Sequence, residues 1–125
     1  MSIDLSAMFG LQGKTAVITG GGGDLCSALA LAISGAGARV AILDIRLDKA
    51  QAAVAAVTGA GGTATAHACD VLDEKSLRSV YDAICTSWGK PDILLNGAGG
   101  NVPSGSTKLE ILDRNLLGDA AARDF

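Results

Sequence analysis

Four short apolar runs, each bounded by polar or glycine residues, are spread through the first 96 residues of the chain. They occupy residues 15–19, 39–43, 63–68 and 92–95. Short β-compatible runs between turn signals are typical of strands in a parallel sheet that is covered on both faces. The pattern therefore predicts four strands of such a sheet.

Helical periodicity fills the three intervals between these runs, since apolar residues recur there every three or four positions. The three stripes are Leu25, Leu29, Ala32 and Ile33; Leu47, Ala50, Val54 and Val57; and Leu77, Val80, Tyr81, Ile84 and Trp88. Asp73 is suited to begin the third helix as its N-cap, and Gly89 and Pro91 are stop signals for it. Because Tyr81 is on an apolar stripe, we expect it in the core.

The order of elements, β-α-β-α-β-α-β, indicates an α/β fold. Because βαβ crossovers are right-handed, these units build an open, doubly wound parallel sheet with helices on both faces, the three-layer Rossmann type. The expected strand order is 3-2-1-4. The fourth strand would then be an uncovered edge, so the fold is expected to be incomplete and the chain to form a homo-oligomer.

The pattern changes after Asn96. Residues 97–105 are predicted to form a loop, and Thr107 with Glu110 is a candidate capping box that opens a leucine-containing helix. The sequence contains no repeat and no second domain, so residues 1–125 are expected to form a single domain.

Composition and charge exclude several classes of protein. The chain is 49% hydrophobic and 18% charged, which is typical of a packed domain. Its net charge of −3 argues against nucleic-acid binding, which requires a basic surface. There is no recognisable leader or membrane span, and the three cysteines are too widely spaced for a disulfide framework. We therefore expect a cytoplasmic protein without membrane contact. The single histidine, His67, is within the third predicted strand and is expected to be structural.

Four consecutive glycines, residues 20–23, follow the first predicted strand and precede the first predicted helix. A turn without side chains lets the main chain approach a pyrophosphate, and the free N–H groups at the start of the helix favour the anion. The position between strand and helix is the context that this motif requires. The sequence therefore predicts a dinucleotide site at the carboxyl edge of the sheet.

Asp44 ends the second strand and follows Gly23 by 21 residues, close to the spacing of about 20 in the dinucleotide fingerprint. A carboxylate at this place accepts the adenosine-ribose hydroxyls and repels a 2′-phosphate, so NAD is favoured over NADP. Arg46 weakens this inference, because a nearby guanidinium accommodates a phosphate. A role of Asp44 as a helix cap for residues 47–57 stays open as an alternative.

These motifs, with Cys69-Asp70-Val71 and Asn96-Gly-Ala-Gly99, resemble the short-chain dehydrogenase/reductase family. The residues of segments 20–26 and 96–101 are most similar to those of the mannonate (fructuronate) oxidoreductase-like branch. The resemblance covers nearly the whole chain but only the N-terminal half of a typical member. It implies an NAD-dependent oxidoreductase that acts on a sugar acid such as mannonate or fructuronate. It also implies that Asp70 contacts the adenine amino group, that Val71 flanks the ring, and that residues 96–99 line the cofactor near the nicotinamide.

The expected cofactor-binding residues are Gly20, Gly22, Gly23, Asp24, Leu25, Asp44, Ile45, Asp70, Val71, Asn96, Gly97, Ala98 and Gly99. Two nearby positions depart from the family pattern, since Asp24 and Cys26 stand where glycines are usual. Cys26 is small enough to preserve close helix packing. The carboxylate of Asp24 is expected to turn outward and to weaken NAD binding by repulsion.

The catalytic set that the resemblance implies is incomplete in this chain. The family uses a Tyr-x-x-x-Lys pair with a serine partner, but Cys85 stands at the lysine spacing after Tyr81. Asn115 resembles the family's active-site asparagine, although residues 106–125 are alternatively an additional segment of the branch. We therefore expect the chain by itself to be inactive. A non-catalytic dinucleotide-binding module, or a truncated product without activity, stays open as the alternative.

Overall fold

The computed structural model describes residues 3–100; the candidate capping box and Asn115 lie outside that part. The elements are helix α1 (Leu5–Phe9), strand β1 (Thr15–Thr19), helix α2 (Asp24–Gly35), strand β2 (Arg39–Asp44), helix α3 (Leu47–Gly59), strand β3 (Thr63–Ala68), helix α4 (Glu74–Trp88) and strand β4 (Ile93–Asn96). Every predicted strand and helix of this region is present. The short α1 was not predicted; its first turn is closed by Asp4 Oδ1, which accepts the Ala7 N–H at 3.2 Å.

The four strands form one parallel sheet in the predicted order, β3-β2-β1-β4. Thr19 at the end of β1 is in register with Leu43 of β2 on one side and with Asn96 of β4 on the other. The carboxyl ends of these strands therefore meet along one edge, where the strand order reverses between β1 and β4. This is the doubly wound, Rossmann-type arrangement.

The sheet face beneath α2 and α3 carries the larger core. Ile18, Val40 and Ile42 of the two central strands are fully buried there, and Ala50 and Val57 of α3 pack against them. Burial of each such isoleucine or valine contributes about 1.5–3 kcal/mol to the free energy of unfolding. This core fixes the positions of the two strands whose ends carry the predicted site.

The buried face of α2 differs from the predicted stripe. Leu25 is 73% exposed, and the residues of α2 that pack on the sheet are Cys26, Ala30 and Ser34. Because α2 starts directly after the glycine turn, it lies close to the sheet, where small side chains fit and leucine does not. The helix therefore buries the face next to the one that leucine periodicity indicated.

The opposite sheet face is covered by α4 alone within residues 3–100. Val80 and Ile84 of α4 are buried against Val17 of β1, as the periodicity predicted. However, Leu94 of β4 is 62% exposed on this face, and Tyr81 is 47% exposed. An apolar groove of about 720 Å³ runs between α4 and β4. The expectation that Tyr81 is a core residue is therefore wrong for the described part of the chain, because Tyr81 lines this groove instead.

Both ends of α4 are where the sequence predicted them. Asp73 Oδ1 accepts the Lys75 N–H at 3.0 Å, so Asp73 is the N-cap. Gly89 ends the helix with φ at 83°, a conformation that favours glycine. Arg39 then anchors this end to the sheet, because its guanidinium lies 5.5 Å from the Trp88 ring centroid and donates to the Trp88 carbonyl at 3.2 Å.

Candidate functional site

The glycine turn after β1 is shaped by close main-chain approaches. Gly20 has φ at 63°, and a Cβ built there would lie 2.7 Å from the Gly97 carbonyl oxygen. The Gly21 N–H donates to the Leu43 carbonyl at 3.0 Å, and the Gly23 N–H donates to the Gly20 carbonyl at 3.1 Å. The turn therefore needs glycine at its first position for both its conformation and its space.

Asp44 holds the middle of this turn. Its Oδ2 accepts the Gly22 N–H at 3.0 Å, and its Oδ1 accepts the Arg46 N–H at 2.9 Å. Helix α3 has Arg46 as its N-cap residue, so the bond from the Arg46 N–H lets Asp44 support the start of that helix as well as the glycine turn. Each carboxylate oxygen makes one of these bonds and retains capacity for another donor, which suits a pair of ribose hydroxyls. Asp44 is half-buried, and Ile45 beside it is 71% exposed.

The first turn of α2 offers free main-chain donors beside Asp44. Within residues 3–100, the N–H groups of Asp24, Leu25 and Cys26 donate to no acceptor, whereas the Ser27 N–H bonds the Gly23 carbonyl at 2.8 Å. Free N–H groups at the positive end of a helix dipole form a site for an anion such as a pyrophosphate. These donors fit a dinucleotide, although the exposed Asp24 places a negative charge on the same turn.

Thr19 joins the glycine turn to the loop after β4. Its Oγ1 accepts the N–H groups of Gly97 and Ala98 at 3.1 and 3.2 Å. A Cβ built on Gly97 would lie 2.1 Å from Cys26 Sγ, so Cys26 occupies the space that this glycine leaves. The cysteine at a usual glycine position is therefore accommodated by packing on Gly97. The sequence alone indicates no role for Thr19, because this role depends on the register that places Thr19 beside Asn96 of β4.

The chain after β3 returns to the same edge. The Cys69 N–H donates to the Asp44 carbonyl at 2.9 Å. Next to it, the Asp70 N–H donates to Ser76 Oγ at 3.1 Å, and Asp70 Oδ1 accepts the Leu72 N–H at 2.9 Å. Asp70 is thereby held at the carboxyl edge of the sheet with its second carboxylate oxygen available to a ligand.

The groove between α4 and β4 opens at this edge. Val71, Asn96 and Ala98 line it together with Tyr81. The side-chain hydrogen bond between Tyr81 and Cys85 favours the protonated phenol, in which the Tyr81 O–H donates, and it raises the pKa of Tyr81 above its ordinary value. A tyrosine that exchanges protons at neutral pH needs the opposite shift, so Tyr81 is unsuited to general acid–base catalysis.

The described residues hold no candidate metal site and no candidate membrane-spanning helix. Among residues 3–100, no group of three or more His, Cys, Asp or Glu side chains is placed to hold a metal ion, and no helix has the length and hydropathy to cross a bilayer. His67 Nε2 lies 3.1 Å from Thr65 Oγ1, and burial lowers the pKa of His67. His67 is a residue of β3, which is an outer strand of the described sheet.

The structure thus brings most of the expected site residues to one edge. The segments 20–25, 44–45, 70–71 and 96–99 all lie at the carboxyl ends of the four strands. The remaining candidate, Asn115, lies outside the described residues.

Comparison with known proteins agrees with this geometry. The sequence model of the short chain dehydrogenase family matches residues 14–116. The uncharacterised oxidoreductase UxuB of Bacillus subtilis is 52% identical over 100 residues, covering 80% of this chain and 36% of that protein. D-threitol dehydrogenase of Mycolicibacterium smegmatis is 37% identical over 99 residues, covering 79% of this chain and 37% of that protein.

A solved structure has the same fold with a cofactor bound. It is a Haemophilus influenza protein, provisionally named a D-mannonate oxidoreductase, with bound NAD. Its TM-score is 0.75 at 35% identity, and the match covers 96% of this chain and 42% of that one. The chain therefore spans less than half the length of these relatives. Sequence, fold and site geometry agree that the chain belongs to the short-chain dehydrogenase family.

Proposed function

We propose that this chain is the dinucleotide-binding part of an NAD-dependent oxidoreductase of the short-chain dehydrogenase type. The observation that carries the proposal is the juxtaposition of free N–H groups at the start of α2 with the Asp44 carboxylate. The N–H groups bind the pyrophosphate, and the carboxylate accepts the adenosine-ribose hydroxyls. NAD is preferred over NADP because Asp44 repels a 2′-phosphate.

The other segments at the edge complete the proposed cofactor site. Asp70 accepts a hydrogen bond from the adenine amino group, and Val71 packs beside the ring. The loop from Asn96 to Gly99, held by Thr19, orients the nicotinamide end. When bound, the nicotinamide supplies the hydride chemistry, and the chain binds and orients it.

The proposed substrate is a sugar acid of the mannonate or fructuronate kind. The support is the D-mannonate name given to the NAD-bound structural neighbour; D-threitol dehydrogenase adds a relative named for a polyol. Asn115 is the proposed catalytic residue within this sequence. Because a Tyr-x-x-x-Lys pair does not occur in these 125 residues, we propose that the chain alone binds cofactor without turnover.

We also propose a cytoplasmic location and a homo-oligomeric state. The location is supported by three free cysteines at Cys26, Cys69 and Cys85, which suit a reducing compartment. The oligomer is supported by β4, which has β1 as its one strand neighbour in the described sheet.

Titration of the chain with NADH tests the cofactor assignment. Asp44→Asn removes the charge that accepts the ribose hydroxyls, so NADH affinity is expected to fall at least about tenfold, the effect of losing one charged hydrogen bond. Asp82→Asn removes an equally formal charge from the exposed side of α4 and leaves the affinity unchanged. Equal affinities for Asp44→Asn and the unaltered chain would refute the assignment.

A second candidate function, a binding module that performs no catalysis, is favoured by the described residues, whose polar groups at the carboxyl edge suit a dinucleotide and among which Tyr81 has Cys85 at the spacing of the family's lysine. An activity assay on the longest natural form of the protein distinguishes the two candidate functions. Oxidation of mannonate with production of NADH by that form supports the enzyme. NAD binding without turnover of any sugar acid tested supports the module.

A further inference from the structure

Beside Asp44 lies an ion pair between Arg46 and Asp48. Arg46 Nη2 lies 3.0 Å from Asp48 Oδ2, and both side chains are mainly exposed. The main-chain N–H of the same Arg46 donates to Asp44 Oδ1 at 2.9 Å. The main chain of Arg46 therefore contacts the carboxylate proposed to bind the ribose, whereas its guanidinium pairs with Asp48.

We propose that Asp48 is a positioning residue for cofactor choice, which disfavours NADP by holding Arg46 away from a 2′-phosphate. This inference rests on the proposed function, since it needs a dinucleotide whose adenosine ribose is bound at Asp44. Asp48 itself does not contact the cofactor; it acts through Arg46.

The chemistry of Arg46 explains why it needs restraint. A free guanidinium presents several donors in one plane and binds phosphate in a bidentate manner. Arg46 is two residues from Asp44, and its main-chain N–H bonds the Asp44 carboxylate. A 2′-phosphate beside that carboxylate would therefore lie close to Arg46. When Asp48 accepts an N–H group of Arg46, the guanidinium has one fewer donor for a phosphate. Its positive charge is also partly compensated by the Asp48 carboxylate.

The local charges point the same way. Two carboxylates, Asp44 and Asp48, and two cations, Arg46 and Lys49, belong to this part of the chain. Lys49 packs on the glycine turn, because a Cβ built on Gly22 would lie 2.6 Å from Lys49 Cβ. Arg46 lowers the pKa of Asp48, mainly through their side-chain hydrogen bond, so Asp48 is ionised throughout the neutral range. Neutralising Asp48 leaves the cations in excess beside the proposed ribose position.

The expected effect is small because the pair is exposed. Surface ion pairs change an equilibrium by a factor of about two to five. Asp48→Asn is therefore expected to tighten NADPH binding by about two- to fivefold, while NADH affinity changes by less than that. The ratio of the two affinities is the measurement that a purely structural role of Asp48 does not move.

A double-mutant cycle tests the inference. NADH and NADPH are titrated into the unaltered chain, Asp48→Asn, Arg46→Ala and the double variant, with thermal melting to verify that each is folded. The gain in NADPH affinity is expected for Asp48→Asn alone, and it is lost in the double variant and at high salt. Asp48→Glu, which keeps the charge, is expected to preserve the original ratio.

Three outcomes overturn the inference, and they are distinguishable. An unchanged NADPH-to-NADH ratio in Asp48→Asn, with normal NADH binding, refutes the role of Asp48 and leaves the proposed function intact. An equal gain in the double variant shows a general charge effect that does not involve Arg46. Failure of the unaltered chain to bind NADH refutes the proposed function and this inference with it.

Discussion

At the scale of single residues, the site depends on how closely main-chain segments approach one another. Gly20 and Gly97 face each other across the end of β1, and Thr19 Oγ1 bonds the loop that contains Gly97. The motifs could be located from the sequence because glycine clusters and Asp44 are local signals. The role of Thr19 could not, because it arises from the register between β1 and β4, which is not encoded locally.

Gly97→Ala is expected to destabilise the fold. The added Cβ would lie 2.1 Å from Cys26 Sγ and 2.7 Å from the Thr19 carbonyl oxygen, and overpacking of this kind costs about 1–3 kcal/mol. Chemical denaturation measures the change. Gly99→Ala is the matched control, because its Cβ meets nothing within 4 Å among residues 3–100. Equal stabilities of the two variants would contradict the packing described for this loop.

Asp24→Val is expected to tighten NADH binding. A carboxylate about 4 Å from a pyrophosphate charge opposes binding by about 1 kcal/mol in water and about 4 kcal/mol at an effective dielectric of 20. Because Asp24 is exposed, the lower figure applies, which corresponds to about fivefold. Asp24→Asn removes the charge at nearly constant size and is expected to give a similar gain. An unchanged affinity in both variants would refute repulsion by Asp24.

At the scale of elements, prediction succeeded where boundaries are marked by chemistry. The bounds of β1 and β3 agree with their apolar runs, and Asp73 and Gly89 mark the ends of α4. Orientation was harder to predict. In α2 the small Cys26 faces the sheet in place of Leu25, because the distance between helix and sheet selects side chains by size.

The environment of β3 is expected to make stability depend on pH. Burial lowers the pKa of His67 below its ordinary value of 6.5, so the unfolded chain binds this proton more readily than the folded one. The contribution is therefore fully present above the ordinary histidine pKa and is lost as the pH falls below it. Denaturation from about pH 7.5 to about pH 5.5 should show this loss. His67→Gln should remove it, and an identical pH dependence in that variant would exclude His67 as the cause.

At the scale of the whole molecule, the sheet is unequally covered. One face packs against α2 and α3, whereas the other has α4 alone among the described residues and leaves the groove beside β4. The sequence indicated the exposed edge through the strand order. The exposure of Tyr81 was not predictable from periodicity, because a stripe identifies an apolar face and not what covers it.

Self-association of the chain is expected through this surface. Leu94 is 62% exposed on the edge strand, and exposed apolar edges promote pairing with another chain. Sedimentation velocity should show species larger than the monomer that decrease in Leu94→Lys. Leu72→Lys is the control, since Leu72 is 93% exposed but does not line the groove. A single monomeric species at high concentration would contradict this expectation.

The central claim is that main-chain N–H groups at the start of α2 bind an anionic dinucleotide that Asp44 tethers. Amide NMR spectra recorded during addition of NAD test it most directly, because each N–H group reports for itself. We expect the largest shift changes at residues 22–26, with smaller ones at Asp44 and residues 96–99. Binding that leaves the amides of Asp24, Leu25 and Cys26 unshifted would contradict the account.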